Sequence, residues 1–417
     1  VPYISILTHP TTGGIYASFA TQGDIIFAEP GALIGFAGPR VIKGVAKAGT
    51  EDQALRSHSA EFLLERGFVD DILERTRQRN TLATVLRLIS AGEQRVAPPS
   101  VPHLPDSRAT DAAWDAVQVA RHPDRPTTLD YLRRISPQFI ELRGDRTFTD
   151  DPAVVAGLGE IGGRGVIFVG LERGHGDDHR RGGQALPEGY RKALRMMRLA
   201  ERLKCPLITF VDTPGAFLGI ESEERGLAAA LSECMAEMSA LQVPVVSAII
   251  GEGGSGGALA LGVADRVLMQ EYAIYSVIAP EGAAAILYRD VARAPEVAEA
   301  LKITAADCRK LGVADVLVPE PAGAAHSDPD LAAALLRDAI VAAIAELQGM
   351  SGRKLQSERY RKFRQMGQVN TYWREFIARE ASELGTLVAR TVGSLRGRRG
   401  GGDDESRSPV AEKDAQA

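Results

Sequence analysis

Gly251-Glu252-Gly253-Gly254-Ser255-Gly256-Gly257-Ala258-Leu259-Ala260 follows an apolar run, Val243-Pro244-Val245-Val246-Ser247-Ala248-Ile249-Ile250. That run reads as a buried strand. The stretch leads into Leu261, Gly262, Val263 and Ala264, small apolar residues that suit a buried helix. A strand, a glycine turn and a helix start together aim backbone N–H groups at one point, where a negative charge can sit. Glycine has no Cβ, so a ligand can reach the backbone. A tight turn packing helix against strand is the alternative reading of the same residues. No Lys-Ser/Thr follows the glycines, and no GxGxxG lies in register with a downstream acid, so this is not one of the usual nucleotide loops.

The 417 residues allow two or three domains and a large core. A net charge of −5 argues against a general nucleic-acid or membrane-surface binder. Cys205, Cys234 and Cys308 are far apart and form no CxxC pair, so neither a disulfide framework nor a zinc ribbon is supported, and a reducing cytoplasm fits. No apolar run reaches the ~18 residues of a membrane span. His175 and His179 sit four apart, but the surrounding glycines and the lack of a third ligand favour a solvated loop over a metal site.

On either side of the glycine stretch the chain divides into segments. Residues 1–95 hold short strands and helices, and 96–118 read as a linker around a proline-rich run. Residues 111–145 read as helical with a break at Pro123–Pro126, and 153–172 as a hairpin turning at Gly162-Gly163-Arg164-Gly165. Residues 173–187 read as a mobile polar loop and 188–204 as an amphipathic helix. Pro206 to Phe210 is a strand, with Val211-Asp212-Thr213-Pro214-Gly215-Ala216 as a turn at its carboxyl end, where open parallel sheets bind ligands. Residues 119–350 make the second domain, 351–395 a basic helical extension, and 396–417 a disordered tail.

Two parts of the chain repeat. Val1-Pro2 matches Val243-Pro244, Asp24 matches Asp265, Glu29 matches Glu271 and Pro39 matches Pro280, at offsets of 241–242 residues. Gly13-Gly14 is read against Gly256-Gly257, offset 243, and Gly67 with Asp70 against Gly312 with Asp315, offset 245. Matches in this order argue for two copies of one fold. The second copy has sheet-forming sequence ahead of Val243 and the first has none ahead of Val1, so the chain is expected to begin inside a domain, with the apolar faces of 1–95 poorly covered.

These motifs resemble the carboxyltransferase of bacterial multisubunit acetyl-CoA carboxylase. Residues 1–95 are similar to the C-terminal half of its β subunit, through Thr12-Gly13-Gly14-Ile15-Tyr16-Ala17-Ser18-Phe19-Ala20 and Ala28-Glu29-Pro30-Gly31 to Gly38-Pro39-Arg40. Residues 119–367 are similar to the α subunit, through Ala120-Arg121-His122-Pro123, Pro187-Glu188-Gly189-Tyr190-Arg191-Lys192-Ala193, Asp212-Thr213-Pro214-Gly215-Ala216, Glu223-Glu224-Arg225-Gly226, the glycine stretch and Pro280-Glu281-Gly282. The resemblance implies an α/β fold of the crotonase-like ββα spiral type, one partial and one complete copy. It implies transfer of carboxylate from carboxybiotin, carried on the biotin carboxyl carrier protein, to acetyl-CoA to give malonyl-CoA for fatty acid biosynthesis. Biotin carboxylase is an implied partner in an oligomeric, ATP-binding enzyme. Gly13 and Gly14 would serve the thioester oxygen. Gly256 and Gly257 would serve the biotin oxygen, with Gly215 and Ala216 completing that second hole. Gly253, Gly254, Asp212 and Pro214 would line the cofactor side. No protein-bound metal is implied, since the family's zinc sits in a β-subunit ribbon absent from this sequence. The N-terminal β portion is absent with it, so residues 1–417 alone are expected to form the biotin side without transferring to acetyl-CoA.

Two other readings stay open. The acyl acceptor could be larger, such as propionyl-CoA, because one methylene is worth only ~1–3 kcal/mol of selectivity, or the chain could be a decarboxylase relative. A different class is a non-catalytic subunit binding a partner or RNA through Arg353, Lys354, Arg359, Arg361, Lys362 and Arg364, although such patches are usually a solvated helix face.

Overall fold

A computed structural model describes residues 1–38, 56–99 and 112–366. Pro39 and Arg40 of the β-type motif, most of the proline-rich run, and the 367–395 and 396–417 segments lie outside the described residues. The chain forms two units, Val1–Phe363 and Arg364–Ala417, and only the end of one helix is described in the second.

The first copy is built from β1 (Ile4–Leu7), β2 (Thr11–Thr12), α1 (Gly13–Tyr16), β3 (Ile25–Ala28), β4 (Ile34–Gly35), α2 (Ala60–Glu65) and β5 (Asp71–Ile72). β1, β3 and β5 form a parallel sheet in that order, and β2 pairs in parallel with β4. Ser59 caps α2 through the Phe62 N–H, and Gly67, at φ +67°, lets the chain leave the helix. α3 (Arg75–Ser90) follows and packs on the second copy.

Between the copies run α4 (Ala113–Ala120) and α5 (Thr128–Ile135), the latter opened by a Thr127/Asp130 capping box. The second copy then holds β6 (Ile140–Glu141), β7 (Val154–Ile161), β8 (Arg164–Leu171), α6 (Pro187–Leu203), β9 (Leu207–Thr213), α7 (Ile220–Glu224), α8 (Leu227–Ala240) and β10 (Val245–Gly254). It continues with α9 (Ser255–Leu259), β11 (Arg266–Gln270), β12 (Ile274–Ser276), α10 (Pro280–Tyr288), α11 (Ala294–Leu301), α12 (Ala305–Lys310), β13 (Val316–Val318), α13 (Pro329–Leu347) and α14 (Gly352–Gln365). The sheet order is β13-β11-β10-β9-β8-β7-β6, parallel from β13 to β8 and antiparallel beyond, with β12 on the end of β10.

The repeat holds residue by residue. Ile4 faces Ile25 as Val246 faces Arg266, and Phe27 faces Asp71 as Leu268 faces Val316. Thr12 faces Gly35 as Gly254 faces Ser276. This register makes one correction. Gly13 corresponds to Ser255, not Gly256, and Gly14 to Gly256. Both members of the first pair open a helix at positive φ, +61° and +52°. Identical Gly-Gly letters concealed a one-residue shift.

Other expectations also change. β9 runs through Thr213 and β10 through Gly254, so residues read as turns are strand. Leu261–Ala264 is not helical, because the buried hydroxyls of Thr209 and Ser247 both donate to the Leu261 carbonyl and draw it out of any helix ladder. Ile140–Glu141 is strand, held by β7. The polar loop is anchored: Arg180 donates to the Pro152 carbonyl at 2.9 Å, and Arg181 pairs with Asp151. The expected linker carries α4, and Val96 is buried and doubly hydrogen-bonded to Gln348.

The apolar faces expected to be poorly covered are covered in part: Ile15, Phe19 and Phe36 stand exposed, but the sheet face does not. Ile25, Phe27, Leu73, Val85 and Leu88 belong to the same core as Leu171, Met197 and Leu207 of the second copy. α6 supplies Arg202 to Asp24 and Arg195 to Asp70. The basic patch is also altered. Arg359 is buried on Asp265 and Lys362 pairs with Asp315, so neither belongs to a solvated face.

Candidate functional site

The carboxyl ends of β9 and β10 bring two backbone turns together. Gly251, at the end of the apolar run, has no room for a side chain, since a Cβ would come within 2.5 Å of Asp212 Oδ1. A Cβ on Gly254 would run into the Pro214 carbonyl, and one on Gly253 would come within 2.6 Å of the Tyr275 ring. Glycine at 251 and 254 is a condition for the close approach of β10 to the Asp212–Ala216 turn, and glycine at 253 for that of Tyr275 on β12.

Gly257 also packs closely against that turn. A Cβ there would lie 2.6 Å from the Ala216 nitrogen, 2.6 Å from the Tyr190 hydroxyl oxygen and 2.8 Å from the Gly215 carbonyl carbon. Gly256 differs, since only Leu231 Cδ1, at 3.6 Å, borders its Cβ position. The start of α9 therefore buries Gly257 against Gly215-Ala216 and leaves Gly256 facing open space. The N–H groups of residues opening a helix have no intrahelical acceptor. The Gly215 N–H is held by Thr213 Oγ1 at 3.1 Å, whereas the Ala216 N–H has no acceptor among the described residues. Ala216 and the α9 start thus present donors from two chain segments to one place, which suits an oxygen on which negative charge develops.

Asp212 braces this turn, and the Pro214 carbonyl packs against Gly254. Asp212 is 2% exposed, accepts the Glu252 N–H at 3.0 Å and lies 3.8 Å from Arg173; burial raises its carboxyl above the usual range. Glu252, also buried, is gripped by Arg121 at 2.6 Å and Arg173 at 2.9 Å, and Arg121 reaches Glu281 at 2.6 Å. Burial works against the Arg121 charge, but its two carboxylate partners more than offset this and hold the guanidinium firmly protonated. A cavity of about 370 Å³ opens here, with Arg121, His122, Arg173, His175 and Asp212 among its lining.

In the first copy Gly13 and Gly14 open α1 in the equivalent place, with space around both. The Gly13 N–H is taken by the Phe36 carbonyl at 3.0 Å, which leaves Gly14 as the free donor of that pair. No described strand and turn stands beside α1 as Asp212–Ala216 stands beside α9. Among the described residues no group of three or more His, Cys, Asp or Glu could hold a metal ion. No helix in them is long and apolar enough to cross a membrane.

The sequence motifs contain Tyr190, Arg121, Glu281 and Ser255 without marking roles for them, and Arg173 lies outside the motifs. Tyr190 is fully buried, its hydroxyl has no hydrogen-bond partner among the described residues, and burial keeps its phenol protonated. Ser255 was the one non-glycine within Gly253–Gly257, a signal that was available.

Residues 108–367 match the family described as acetyl co-enzyme A carboxylase carboxyltransferase-like. The acetyl-coenzyme A carboxylase carboxyl transferase subunits beta/alpha of Salinispora tropica is 50% identical over 379 residues, covering 88% of this chain and 66% of that protein. The alpha subunit of Thermus thermophilus is 52% identical over 257 residues, covering 61% of this chain and 82% of that protein. The chain thus spans just under two thirds of the fused relative's length. A transcarboxylase 12S crystal structure superposes with a TM-score of 0.63 at 20% identity, covering 84% of this chain and 66% of that one, a likeness of fold.

Proposed function

Because the chain belongs to the acetyl-CoA carboxylase carboxyltransferase family, we propose that it transfers a carboxyl group from carboxybiotin to acetyl-CoA. The observation that carries this reading is the meeting of Ala216 with the Gly256-Gly257 helix start, repeated in part at Gly13-Gly14. The reaction needs stabilised negative charge on two oxygens, and two copies of one amide-presenting turn supply the means.

Biotin, when carboxylated and bound, supplies the carboxyl group on its ureido nitrogen. The open space over Gly256 fits a flat group with an acceptor oxygen. Ala216, Gly256 and Gly257 would hold that oxygen by their N–H groups, while Tyr190 and Gly215 fix the turn from beneath. Gly14 would serve the thioester oxygen of the acyl-CoA. The two centres must approach within reacting distance, so a β-type surface on residues 1–95 and an α-type surface on 119–350 must face each other, within one chain or between chains. The biotin carboxyl carrier protein, biotin carboxylase and a β-type N-terminal portion are the partners of this reading, in an oligomer.

The test is to supply carboxybiotin with acetyl-CoA or propionyl-CoA, with and without an added β-type subunit. Malonyl-CoA exceeding methylmalonyl-CoA is the expected result. A folded protein that forms neither product with the β-type subunit present would overturn the assignment.

A further inference from the structure

Arg125, Arg164 and Arg359 are each buried, at 3%, 7% and 1% exposure. Arg125 grips Glu320 and Arg359 grips Asp265. Arg164, at the start of β8, has no such carboxylate among the described residues. Its Nε donates to the Gly92 carbonyl at 2.9 Å, and its buried Nη1 has no hydrogen-bond partner among the described residues. Cys205 packs beside Gly92 but is no counterion, since burial pushes its thiol up to about 11. A guanidinium stays protonated inside a protein. The fold therefore buries a positive charge against one neutral carbonyl, which is unfavourable unless an opposite charge reaches it.

Arg164 lines a cavity of about 500 Å³ at the amino ends of β8, β9 and β10. The ten residues of β10, roughly 30 Å of strand, separate it from the glycine turn. A second feature points into the same space. α14, fourteen residues long, begins on the cavity wall at Gly352. The N–H groups of Gly352 and Arg353 have no acceptor among the described residues, and a helix start favours negative charge. The rest of the lining says which anion fits. Arg164 and Lys204 are matched in number by Glu93 and Glu201, so no excess positive charge draws a multiply charged ligand. Lys204 and Glu93 stand 3.7 Å apart at the exposed rim. Val243, Pro244, Met350 and Leu355 give the cavity apolar walls.

We propose that this cavity binds a small monocarboxylate with an apolar body, whose carboxylate meets the guanidinium of Arg164 and the start of α14. The carboxylate neutralises the one buried arginine that lacks an acid among the described residues, and the apolar body covers the wall.

Sodium hexanoate is the probe, titrated by calorimetry into the 417-residue chain, with 1-hexanol and inorganic phosphate compared at equal ionic strength. Hexanoate should bind more tightly than either. Arg164→Met should bind it about 10–100-fold more weakly, the scale of a hydrogen bond to a charged group. Without hexanoate that variant should melt no lower than wild type, because it loses an unpaired buried charge. Lys204→Ala, at the exposed rim, should change binding by no more than about 3-fold. In wild type, amide NMR shifts on adding hexanoate should fall at Gly352, Arg353 and Gln242 and spare Gly256 and Gly257. A wild type that takes up no hexanoate, or shifts confined to Gly256 and Gly257, would overturn the proposal. Equal binding by Arg164→Met would do the same, and so would hexanol or phosphate binding as tightly as hexanoate. A clear fall in the melting temperature of Arg164→Met would show that the arginine serves the Gly92 carbonyl alone, which also refutes it.

Discussion

Arg359 lays its guanidinium along both carboxylate oxygens of Asp265, at 3.0 and 2.7 Å, with neither side chain more than 2% exposed. The same group donates to the carbonyls of Met238, Leu241 and Val243, and Asp265 also accepts the Val245 N–H at 2.8 Å. One ion pair thereby ties α14 to the end of α8 and the start of β10. Removing one partner from such a pair strands a buried charge. Arg359→Ala should destabilise the protein by ~3–5 kcal/mol, read as a fall in the denaturant midpoint. A loss below about 1 kcal/mol, the scale of a surface pair, would contradict this account.

The two glycines of the α9 start should separate by assay. A Cβ on Gly256 meets little, so Gly256→Ala should fold with a near-normal melting temperature and yet lose transfer at least about 10-fold, because its methyl group would stand in the space proposed for the ureido group. Gly257→Val should lose activity to a similar degree and also stability, since its side chain would press on Ala216 and Tyr190. Full activity in a folded Gly257→Val protein would remove this turn from the mechanism.

The repeat was legible because strand-edge landmarks keep their spacing. Asp24 accepts the Tyr3 N–H as Asp265 accepts the Val245 N–H, both at 2.8 Å. Asp70 accepts the Ile26 N–H as Asp315 accepts the Val267 N–H, both at 2.7 Å. Carboxylates in these roles are fixed by backbone geometry, so the sequence carries them. The α9 start was misaligned by one because letters record identity, whereas the position demands a positive φ that glycine and serine both meet here. The burial of Arg359 could not be read at all. A basic helix does not declare which of its arginines finds a carboxylate 94 residues away.

His175 should titrate above its ordinary range. Its Nε2 lies 2.6 Å from Asp130 and its Nδ1 2.9 Å from the Pro123 carbonyl, so both ring nitrogens face acceptors and the doubly protonated ring is favoured. The Asp130 hydrogen bond is the main cause of the raised pKa, opposed by partial burial and aided by the Pro123 carbonyl. A raised folded pKa adds stability that is complete below the unfolded value near 6.5 and fades as pH rises through the folded value. Proton NMR of the imidazole should show an upward shift that Asp130→Asn abolishes. A midpoint at or below about 6.5 in wild type would contradict the contact.

Gly67 and Gly144 meet back to back across the junction of the two copies, both at positive φ, and a Cβ on Gly67 would come within 2.6 Å of the Gly144 Cα. Around them Arg146 reaches the Gly67 carbonyl and Asp70, while Arg195 spans Asp70 and the Gly144 carbonyl. Burial opposes the Arg146 charge and brings its pKa down to about 10, with Asp70 working the other way. This junction, with Ile25 and Phe27 in the shared core, should give β1 and β3 slow hydrogen exchange, comparable to β9 and β10. Gly144→Ala leaves no room for the junction to close. It should speed exchange across 4–28 and 60–73 and leave 207–254 protected. Uniform fast exchange of residues 1–95 in wild type would mean that the shared core does not hold the first copy, and equal loosening of β9 and β10 in the variant would mean that the copies unfold as one.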